Sequence, residues 1–189
     1  MVRSFSGVPP APAVLERVLA AALRAPSAGN TQGWDAVVLQ GTETARFWDA
    51  TTTDAWREQA RRWPGLRRAP VVVAVFTDPG AYVERYRQPD KADDRLGTDP
   101  GSWPVPYWFV DGGMAVQLLL LAAVDHGLGA CFLGNFRGEG ELAAELGVPL
   151  GRRYLGAVLL GEPEGDDPPS PSLRRSRRTF EDVVHFGSW

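Results

Sequence analysis

The sequence predicts an α+β fold in which helices flank a central β-sheet. Helical patterns outnumber strand patterns, and their connections are too irregular for repeated βαβ units, which disfavours a doubly wound sheet. The only stretch with closely spaced glycines between a strand and a helix, GNFRGEG from Gly134, has the wrong spacing for a dinucleotide-binding or phosphate-binding loop. A nicotinamide nucleotide, if one is used, is therefore not expected in a standard dinucleotide-binding domain.

The first half of the chain alternates helical and strand patterns. An apolar stripe predicts a helix over about 12–24, which Pro26 ends. The next patterns predict, in order, a strand over 36–39, helices over 44–50 and 54–63, and a buried strand from Ala69. Residues 78–106 carry Asp, Pro, Gly and Tyr without a period, which predicts a long loop that could act as a lid.

The second half begins with a helix over 107–126 that is apolar on nearly every side, as expected in a protein centre or at a subunit interface. The patterns that follow predict a strand over 130–134, a short helix over 140–146 and a last strand from Tyr154. The tail over 162–189 is rich in Pro, Asp and Arg but ends in apolar residues, which predicts an arm packed on another surface. The whole chain, 1–189, is interpreted as one domain.

Composition narrows the classes of function. The chain has 189 residues, of which 44% are hydrophobic, and its net charge of −3 gives no overall positive field for nucleic acid or an anionic membrane. The single cysteine, Cys131, excludes an internal disulfide, and two histidines, His126 and His185, are too few for the usual Cys/His metal clusters. A cytoplasmic protein without a metal centre is expected, with Cys131 as a packing thiol and His126 at a helix end.

Two apolar segments could be mistaken for targeting signals. Near the N-terminus, VLERVLAAAL is interrupted by Glu16 and Arg17, so an amphipathic helix is expected rather than a secretion signal. The segment over 114–124 is about half the length that a bilayer requires and contains Gln117, so a core helix is expected.

The stretch APSAGNTQGW, residues 25–34, leaves a helix through small and polar residues before the chain turns hydrophobic again. Such a segment can be a plain connector, because Pro and Gly interrupt regular structure while Ser and Asn satisfy backbone groups at turns. It can also present amide and hydroxyl groups to a polar ligand. The stretch alone favours the connector.

Together with other segments of the chain, this stretch favours ligand binding over a plain connector. RSF at 3–5, APSAGNTQGW at 25–34, DGGMAVQLLLLAAVDHGLGACFLGNF at 111–136 and RRSRRTFEDVV at 174–184 together resemble the FMN-dependent nitroreductase family, in the expected order over nearly the whole chain. The resemblance implies a sheet of the nitroreductase type in an intertwined homodimer with two FMN molecules at its interface. It also implies a ping-pong reaction, in which NADH or NADPH donates hydride to flavin N5 and a small aromatic or conjugated acceptor then takes the electrons.

The resemblance further implies which residues contact FMN. They are Arg3 at the pyrimidine side of the flavin, Pro26, Ser27, Asn30 and Gln32 against the ring and ribityl chain, Leu133, Gly134 and Asn135 with backbone groups near N5, and Arg175 and Arg177 at the phosphate. These residue types suit the ligand, since guanidinium groups bind a dianionic phosphate and a cation favours the reduced flavin. Most members carry an Arg and a Ser ahead of the position that Arg3 takes here, so more of the phosphate binding is expected to fall to Arg175 and Arg177.

The stretch WPVPYWF supplies Trp103, Tyr107 and Trp108 as candidates for stacking a planar acceptor, although core packing is the more common role of such residues. Arg3 could equally be a solvated terminal charge, residues 133–135 a strand-end turn, and the arginine run a solvated tail. Three other functions stay open: a flavin-dependent oxidase or dehydrogenase of a specialised metabolite, a flavin-binding protein without turnover, and, least favoured, a nucleic-acid-binding domain.

Overall fold

A computed structural model describes residues 1–59, 64–91, 95–134, 137–165 and 170–189. Its helices are α1 (Pro12–Ala22), α2 (Thr44–Thr51), α3 (Asp54–Gln59), α4 (Pro79–Arg87), α5 (Tyr107–Asp125) and α6 (Glu139–Glu145). Its strands are β1 (Trp34–Gln40), β2 (Val71–Thr77), β3 (Gly129–Leu133) and β4 (Arg153–Gly161).

The four strands form one antiparallel sheet in the order β1-β2-β4-β3. The two central strands are β2 and β4, so β1 and β3 are the edges. Trp34 pairs with Thr77, and Thr77 pairs with Arg153, which places the start of β1 at the same end of the sheet as the end of β2. Leu133, the last residue of β3, pairs with Ala157. The predicted helix-flanked α+β sheet is thus confirmed, and its pairing is antiparallel throughout the described strands.

The side chains of β2 point alternately into two hydrophobic cores, one on each face of the sheet. All seven residues of β2 are buried, because helices cover both faces of the sheet. Val72, Ala74 and Phe76 pack with α2 and α6, whereas Val71, Val73 and Val75 pack with α1 and α5. This period of two is the geometry of a strand, in which successive side chains point to opposite faces. An unbroken apolar run is therefore what a strand buried on both faces requires.

Within the described residues the predicted helices and strands match the observed ones closely, except in one region; the end of the helix predicted over 54–63, residues 60–63, lies outside the described residues. Residues 78–106 are not a continuous loop, because Pro79–Arg87 form α4. This helix was not predicted because it is only nine residues long, begins with Pro79 and Gly80, and has a weak apolar stripe formed by Tyr82 and Val83. Proline is well suited to the first turn of a helix, where its missing N–H would have no partner in any case. The prediction of a long aperiodic loop was wrong over these residues.

Helix α5 carries much of the architecture. It is long and apolar enough to cross a membrane by length and composition, yet in this fold it packs against α1 and against the sheet. Residues such as Ala115, Leu119 and Ala123 are buried there, while Leu121 and Val124 are 55% and 68% exposed. The helix therefore has one face in the core, as predicted, and a second apolar face at the surface. His126 follows as its C-terminal cap, as predicted.

Candidate functional site

The segment that follows α1 has an unusual backbone. Asn30 and Gln32 have φ values of 55° and 53°, and in the described part of the chain they are the two non-glycine residues with positive φ. Side chains other than glycine rarely adopt this region, and such strain concentrates at ligand sites. The Nε2 atom of Gln32 donates to Oδ1 of Asn30 at 3.2 Å, and the backbone N–H of Gln32 donates to Oγ of Ser27 at 2.9 Å. Asparagine tolerates this region at ordinary turns, so Gln32 is the more unusual of the two residues.

A buried carboxylate holds this loop against α5. Asp111 is 1% exposed, and its Oδ2 atom accepts a hydrogen bond of 2.8 Å from the backbone N–H of Ala28. The same oxygen accepts a hydrogen bond of 2.7 Å from the hydroxyl of Tyr82 in α4. Three separate elements thus meet at one oxygen atom. Because a buried carboxylate is costly unless it is hydrogen-bonded, these contacts fix the position of the loop.

Helix α4 supports the loop from its other side. The Nε atom of Arg85 donates to the carbonyl oxygen of Gly29 at 2.7 Å, and both of its terminal nitrogens pair with Asp90. This bidentate pair holds the pKa of Asp90 below its usual value. Gly33 lies so close to Tyr82 that a Cβ atom there would be 2.5 Å from the tyrosine ring. The glycine in the sequence is therefore required by the close approach of α4.

An aromatic cluster lies next to the loop. Tyr82, Trp103 and Trp108 are buried and packed together with Ala28, and the Nε1 atom of Trp103 donates to the carbonyl oxygen of Leu96 at 3.0 Å. Tyr107 is 41% exposed, with its ring 6.0 Å from that of Trp103. The cluster combines core packing with one exposed ring. A role of Trp103, Tyr107 and Trp108 in acceptor binding stays a prediction, and the exposure of Tyr107 makes it the most accessible of the three.

The end of β3 opens onto a pocket of about 230 Å³. Its described lining comprises Trp48 and Thr51 from α2, Thr52, Trp56 from α3, and Leu133, Gly134 and Arg137 from β3 and the turn after it. Two of the predicted flavin contacts, Leu133 and Gly134, are thus at the wall of a cavity. The third, Asn135, lies outside the described residues.

Arg3 lies in an ordered N-terminal segment. The backbone N–H of Val2 donates to the carbonyl oxygen of Ala130 in β3 at 2.9 Å, and Phe5 is fully buried and bridged to Pro163. The segment is thus fixed on both sides of the half-buried Arg3. At about 3.3 Å per residue, Ala130 lies roughly 10 Å from Leu133 along β3. Arg3 and the pocket are therefore on the same edge of the sheet, but this separation along β3 keeps them out of direct contact.

The two predicted phosphate ligands lie in the C-terminal tail. Arg175 and Arg177 are exposed, and in the described part of the chain neither guanidinium makes an ion pair. The tail contacts itself through Phe180 and Phe186, whose rings are 6.3 Å apart. Among the described residues, no hydrogen bond or ion pair joins the side chain of Arg175 or Arg177 to the other predicted contacts.

The predicted flavin contacts fall into two groups on opposite edges of the sheet. Ser27, Asn30 and Gln32 precede the edge strand β1, whereas Leu133 and Gly134 end the other edge strand, β3. Three inter-strand spacings of 4.7–4.9 Å separate the two edges by roughly 14 Å. Both groups face the same end of the sheet.

Sequence reasoning missed the residues that hold the site in place. Asp111 and Tyr82 hold the loop, and Trp48 and Trp56 are among the residues that line the pocket, yet none was a candidate. A signal for Asp111 existed, since it is an acidic residue in an otherwise apolar helix pattern, where an unpaired charge would be costly. Nothing in the local sequence marks Trp48 or Trp56, because their meeting with β3 depends on how α2 packs.

Comparisons with known proteins agree with this architecture. A Thermus thermophilus protein named NADH dehydrogenase is 30% identical over 191 residues, which cover 93% of this chain and 88% of that protein. The crystal structure of a nitroreductase family protein from Streptococcus pneumoniae superposes with a TM-score of 0.69 at 18% identity, covering 97% of this chain and 94% of that one. A structure titled as an oxidoreductase containing FMN gives 0.70 at 20% identity, covering 100% and 87%. The model of the nitroreductase family matches residues 1–162, and the chain therefore belongs to that family.

Proposed function

We propose that this protein is an FMN-dependent oxidoreductase that passes hydride from NADH or NADPH, through N5 of the flavin, to a small aromatic or conjugated acceptor. Membership of the nitroreductase family supports an oxidoreductase, and the names of its relatives support a nicotinamide donor. FMN is supported by the structural neighbour described as an oxidoreductase containing FMN. The observation in this chain that carries the proposal is the loop over residues 27–32, whose backbone is held by Asp111 and Arg85 while the side chains of Asn30 and Gln32 stay exposed.

The residues present fit FMN. The loop offers an exposed amide at Asn30, another at Gln32 and a half-buried hydroxyl at Ser27, which suits a polyhydroxylated ribityl chain beside a flat ring. Gly134 has an exposed backbone and no side chain to block a ring edge. Arg175 and Arg177 would hold the phosphate, since guanidinium groups match its geometry with paired hydrogen bonds. Arg3 would place a cation along the same edge as Gly134.

We further propose that the working unit is a homodimer and that residues 162–189 form an arm on the partner subunit. Two sets of exposed apolar residues support a second copy of this chain as the partner. One is on α5, with Leu121 and Val124, and the other is in the tail, with Phe180, Phe186 and Trp189 at 61%, 85% and 98% exposure. Contiguous apolar patches on a protein surface often mark sites of protein–protein contact. Pairing would also let the loop of one subunit and the β3 end of the other share one flavin.

The dimer has a direct test. In sedimentation experiments the wild type should have twice the mass of one chain, and Leu121→Glu should reduce the dimer fraction because it puts a charge into an apolar interface. Leu150→Glu is the matched control, because Leu150 is fully exposed in the turn before β4. A wild-type monomer that retains FMN would refute the arrangement.

The function is tested by spectroscopy. Purified protein supplied with FMN should show a bound flavin spectrum, and anaerobic addition of NADH or NADPH should bleach it. Re-oxidation by an aromatic acceptor would then complete the proposed cycle. Bleaching by a candidate substrate but by neither nicotinamide would instead favour an oxidase or dehydrogenase. A bound flavin that neither reagent bleaches would favour a binding protein without turnover, and failure to bind FMN would reject the proposal.

A further inference from the structure

We infer that Glu139, the first residue of α6, is a positioning residue that fixes the turn carrying Gly134 beside the flavin. The inference deepens the proposed function, on which it rests for the place of Gly134 near N5. Neither the family match nor the names of the relatives give Glu139 a role.

The turn between β3 and α6 is short. Strand β3 ends at Leu133 and α6 begins at Glu139, so five residues, 134–138, make the connection. A connection of this length has little freedom once both of its ends are held. The position of Gly134, its first residue, therefore depends on how firmly each end is fixed.

Strand β4 holds the β3 end of the turn. Leu133 pairs with Ala157, and the neighbouring Gly156 lies so close that a Cβ atom there would be 2.6 Å from the ring of Phe132 and 3.1 Å from the carbonyl oxygen of Leu133. A side chain at position 156 would push β3 away from β4. The glycine is thus required by the close approach of the two strands at this end of the turn.

Glu139 holds the other end of the turn to the same strand. Its Oε1 atom accepts a hydrogen bond of 3.0 Å from the backbone N–H of Tyr154 and one of 3.2 Å from Nε of Arg153, and both donors belong to β4. Tyr154 is buried, so the first donor lies at the border of the core. The two ends of the turn are therefore tied to one rigid strand.

The two hydrogen bonds of Glu139 are not equal in importance. The side chains of Arg153 and Glu139 are half-exposed, and ion pairs in such positions contribute little because water screens them. The bond from Tyr154 is also charge-assisted, but its donor is a backbone group of a sheet strand and does not change place with a side-chain rotamer. Loss of the Glu139 carboxylate should therefore release the turn, whereas loss of the Arg153 guanidinium should not.

Helix α6 has other supports, which should keep the fold intact without Glu139. Gly138 has a φ of 70° and lies so close to α2 that a Cβ atom there would be 2.2 Å from the carbonyl oxygen of Ala50. At the far end of α6, Oε1 of Glu145 accepts a hydrogen bond of 2.7 Å from Nε of Arg46 in α2. Removal of the Glu139 side chain should thus affect the turn more than the helix.

The test compares Glu139→Ala with Glu139→Gln in the FMN-loaded protein, by anaerobic stopped-flow bleaching over a range of nicotinamide concentrations. Glu139→Ala should lower the limiting rate roughly ten- to a hundredfold, because a small misplacement beside the reacting atoms slows a reaction that strongly. The dissociation constant of FMN, measured by flavin fluorescence, should stay nearly the same, since the contacts proposed for the loop over 27–32 and for the arm remain. Glu139→Gln should restore most of the rate, because its amide oxygen can still accept from the N–H of Tyr154.

Two variants serve as controls. Glu141→Ala removes an exposed carboxylate of the same helix, and Arg153→Gln removes the guanidinium, and both should keep the wild-type limiting rate. If Glu139→Ala does not fold, Glu139→Asp takes its place, because the shorter side chain keeps the charge but cannot reach Tyr154 in the same geometry. An unchanged limiting rate in the folded variant would overturn the inference. So would a loss of rate that Glu139→Gln does not restore, because the charge and not the position would then be responsible.

The visible spectrum of the bound, oxidised flavin separates this inference from the proposed function. The spectrum responds to groups that contact the ring and needs no turnover. Glu139→Ala should shift it, whereas Glu139→Gln and Glu141→Ala should not. A wild type that binds FMN but is bleached by neither nicotinamide, with this pattern of shifts intact, would count against the proposed function alone. Identical spectra in all variants, together with equal rates, would reject the positioning role.

Discussion

The hydroxyl of Tyr82 donates a hydrogen bond of 2.7 Å to Oδ2 of Asp111, and this contact joins α4 to α5 beneath the loop that precedes β1. The same carboxylate oxygen holds the backbone of Ala28 at 2.8 Å. Tyr82 is fully buried and Asp111 is 1% exposed. The polar loop over Ser27–Gln32 is thus positioned by a buried pair that touches none of its predicted ligand-binding side chains.

Tyr82→Phe should destabilise the protein and weaken FMN binding together. The change leaves the buried carboxylate with one fewer donor, which costs about 1.5–3 kcal/mol in the free energy of unfolding at neutral pH. Chemical denaturation at fixed protein concentration measures this loss, and flavin fluorescence measures the change in affinity. Tyr107→Phe is the control, because Tyr107 is exposed. If the stability falls but FMN affinity does not, Asp111 and Tyr82 do not position the cofactor loop.

Stability should decline at alkaline pH, and part of that decline should be traceable to two tyrosines. Burial, followed by the hydrogen bond to and the charge of Asp111, raises the pKa of Tyr82, and burial alone raises the pKa of Tyr154. Above about pH 10 an unfolded tyrosine loses its proton while these folded residues keep theirs. The unfolded state then binds fewer protons, so the free energy of unfolding falls as pH rises. Denaturation midpoints measured between pH 8 and pH 11 should show the fall.

Comparing variants of the two tyrosines distinguishes the effect of ionisation on stability from the effect of losing a hydrogen bond. The hydroxyl of Tyr154 is buried without a partner in the described part of the chain. Tyr154→Phe should therefore leave stability at pH 7 unchanged or increased, whereas Tyr82→Phe should lower it, and both should flatten the alkaline decline. A wild-type slope retained in both variants would show that other groups cause it.

Gly138→Ala should be more damaging than an ordinary glycine substitution. The residue combines a φ of 70° with a Cβ position 2.2 Å from a backbone oxygen of α2, so alanine meets both conformational strain and a clash. Gly151→Ala is the matched control, since Gly151 has a φ of 87° and no atom within 4 Å of its Cβ position. The control should lose about 1–2 kcal/mol, the cost of the left-handed backbone. Equal losses in the two variants would show that α2 simply moves aside.

Arg177→Ala should raise the dissociation constant of FMN by roughly ten- to a hundredfold, the equivalent of one charge-assisted hydrogen bond. Riboflavin, which lacks the phosphate, should bind almost as before. Arg174→Ala, which removes an exposed arginine of the same run, serves as the control. Equal weakening of FMN and riboflavin would mean that Arg177 acts through folding or subunit packing, and no change in either would mean that the phosphate is held elsewhere.

Cys131→Ala should keep most of the flavin reduction by nicotinamides. Cys131 is 4% exposed in the core beneath α2 and α6, as the sequence predicted for a packing thiol, and hydride chemistry belongs to the cofactor. Stopped-flow bleaching of the bound flavin measures the rate. A variant that folds and binds FMN but is no longer reduced would show that the thiol takes part in the reaction.

The sequence alone determined the fold class, the family, and the order of the strands and of the helices other than α4. The unbroken apolar run of β2 and the apolar helix α5 are strong local patterns, because burial on both sides leaves few polar positions. Helix α4 was lost because a short helix with a narrow apolar stripe gives little periodic signal. The FMN contacts came from the spacing of residues such as Ser27 and Asn30 within a family pattern, and they stay predictions.

Tertiary structure decided which residues hold the site in place. Asp111, Tyr82 and Ala28 are far apart in sequence and meet at one oxygen atom only after α4 and α5 have packed. The pocket likewise exists only where α2 reaches the end of β3, because Trp48 and Arg137 have no local reason to be neighbours. Local sequence specifies backbone propensity and which faces are apolar. Which hydrogen-bond donors, charges and aromatic rings come together depends on packing between residues that are far apart in the chain. Local sequence patterns do not reveal that packing.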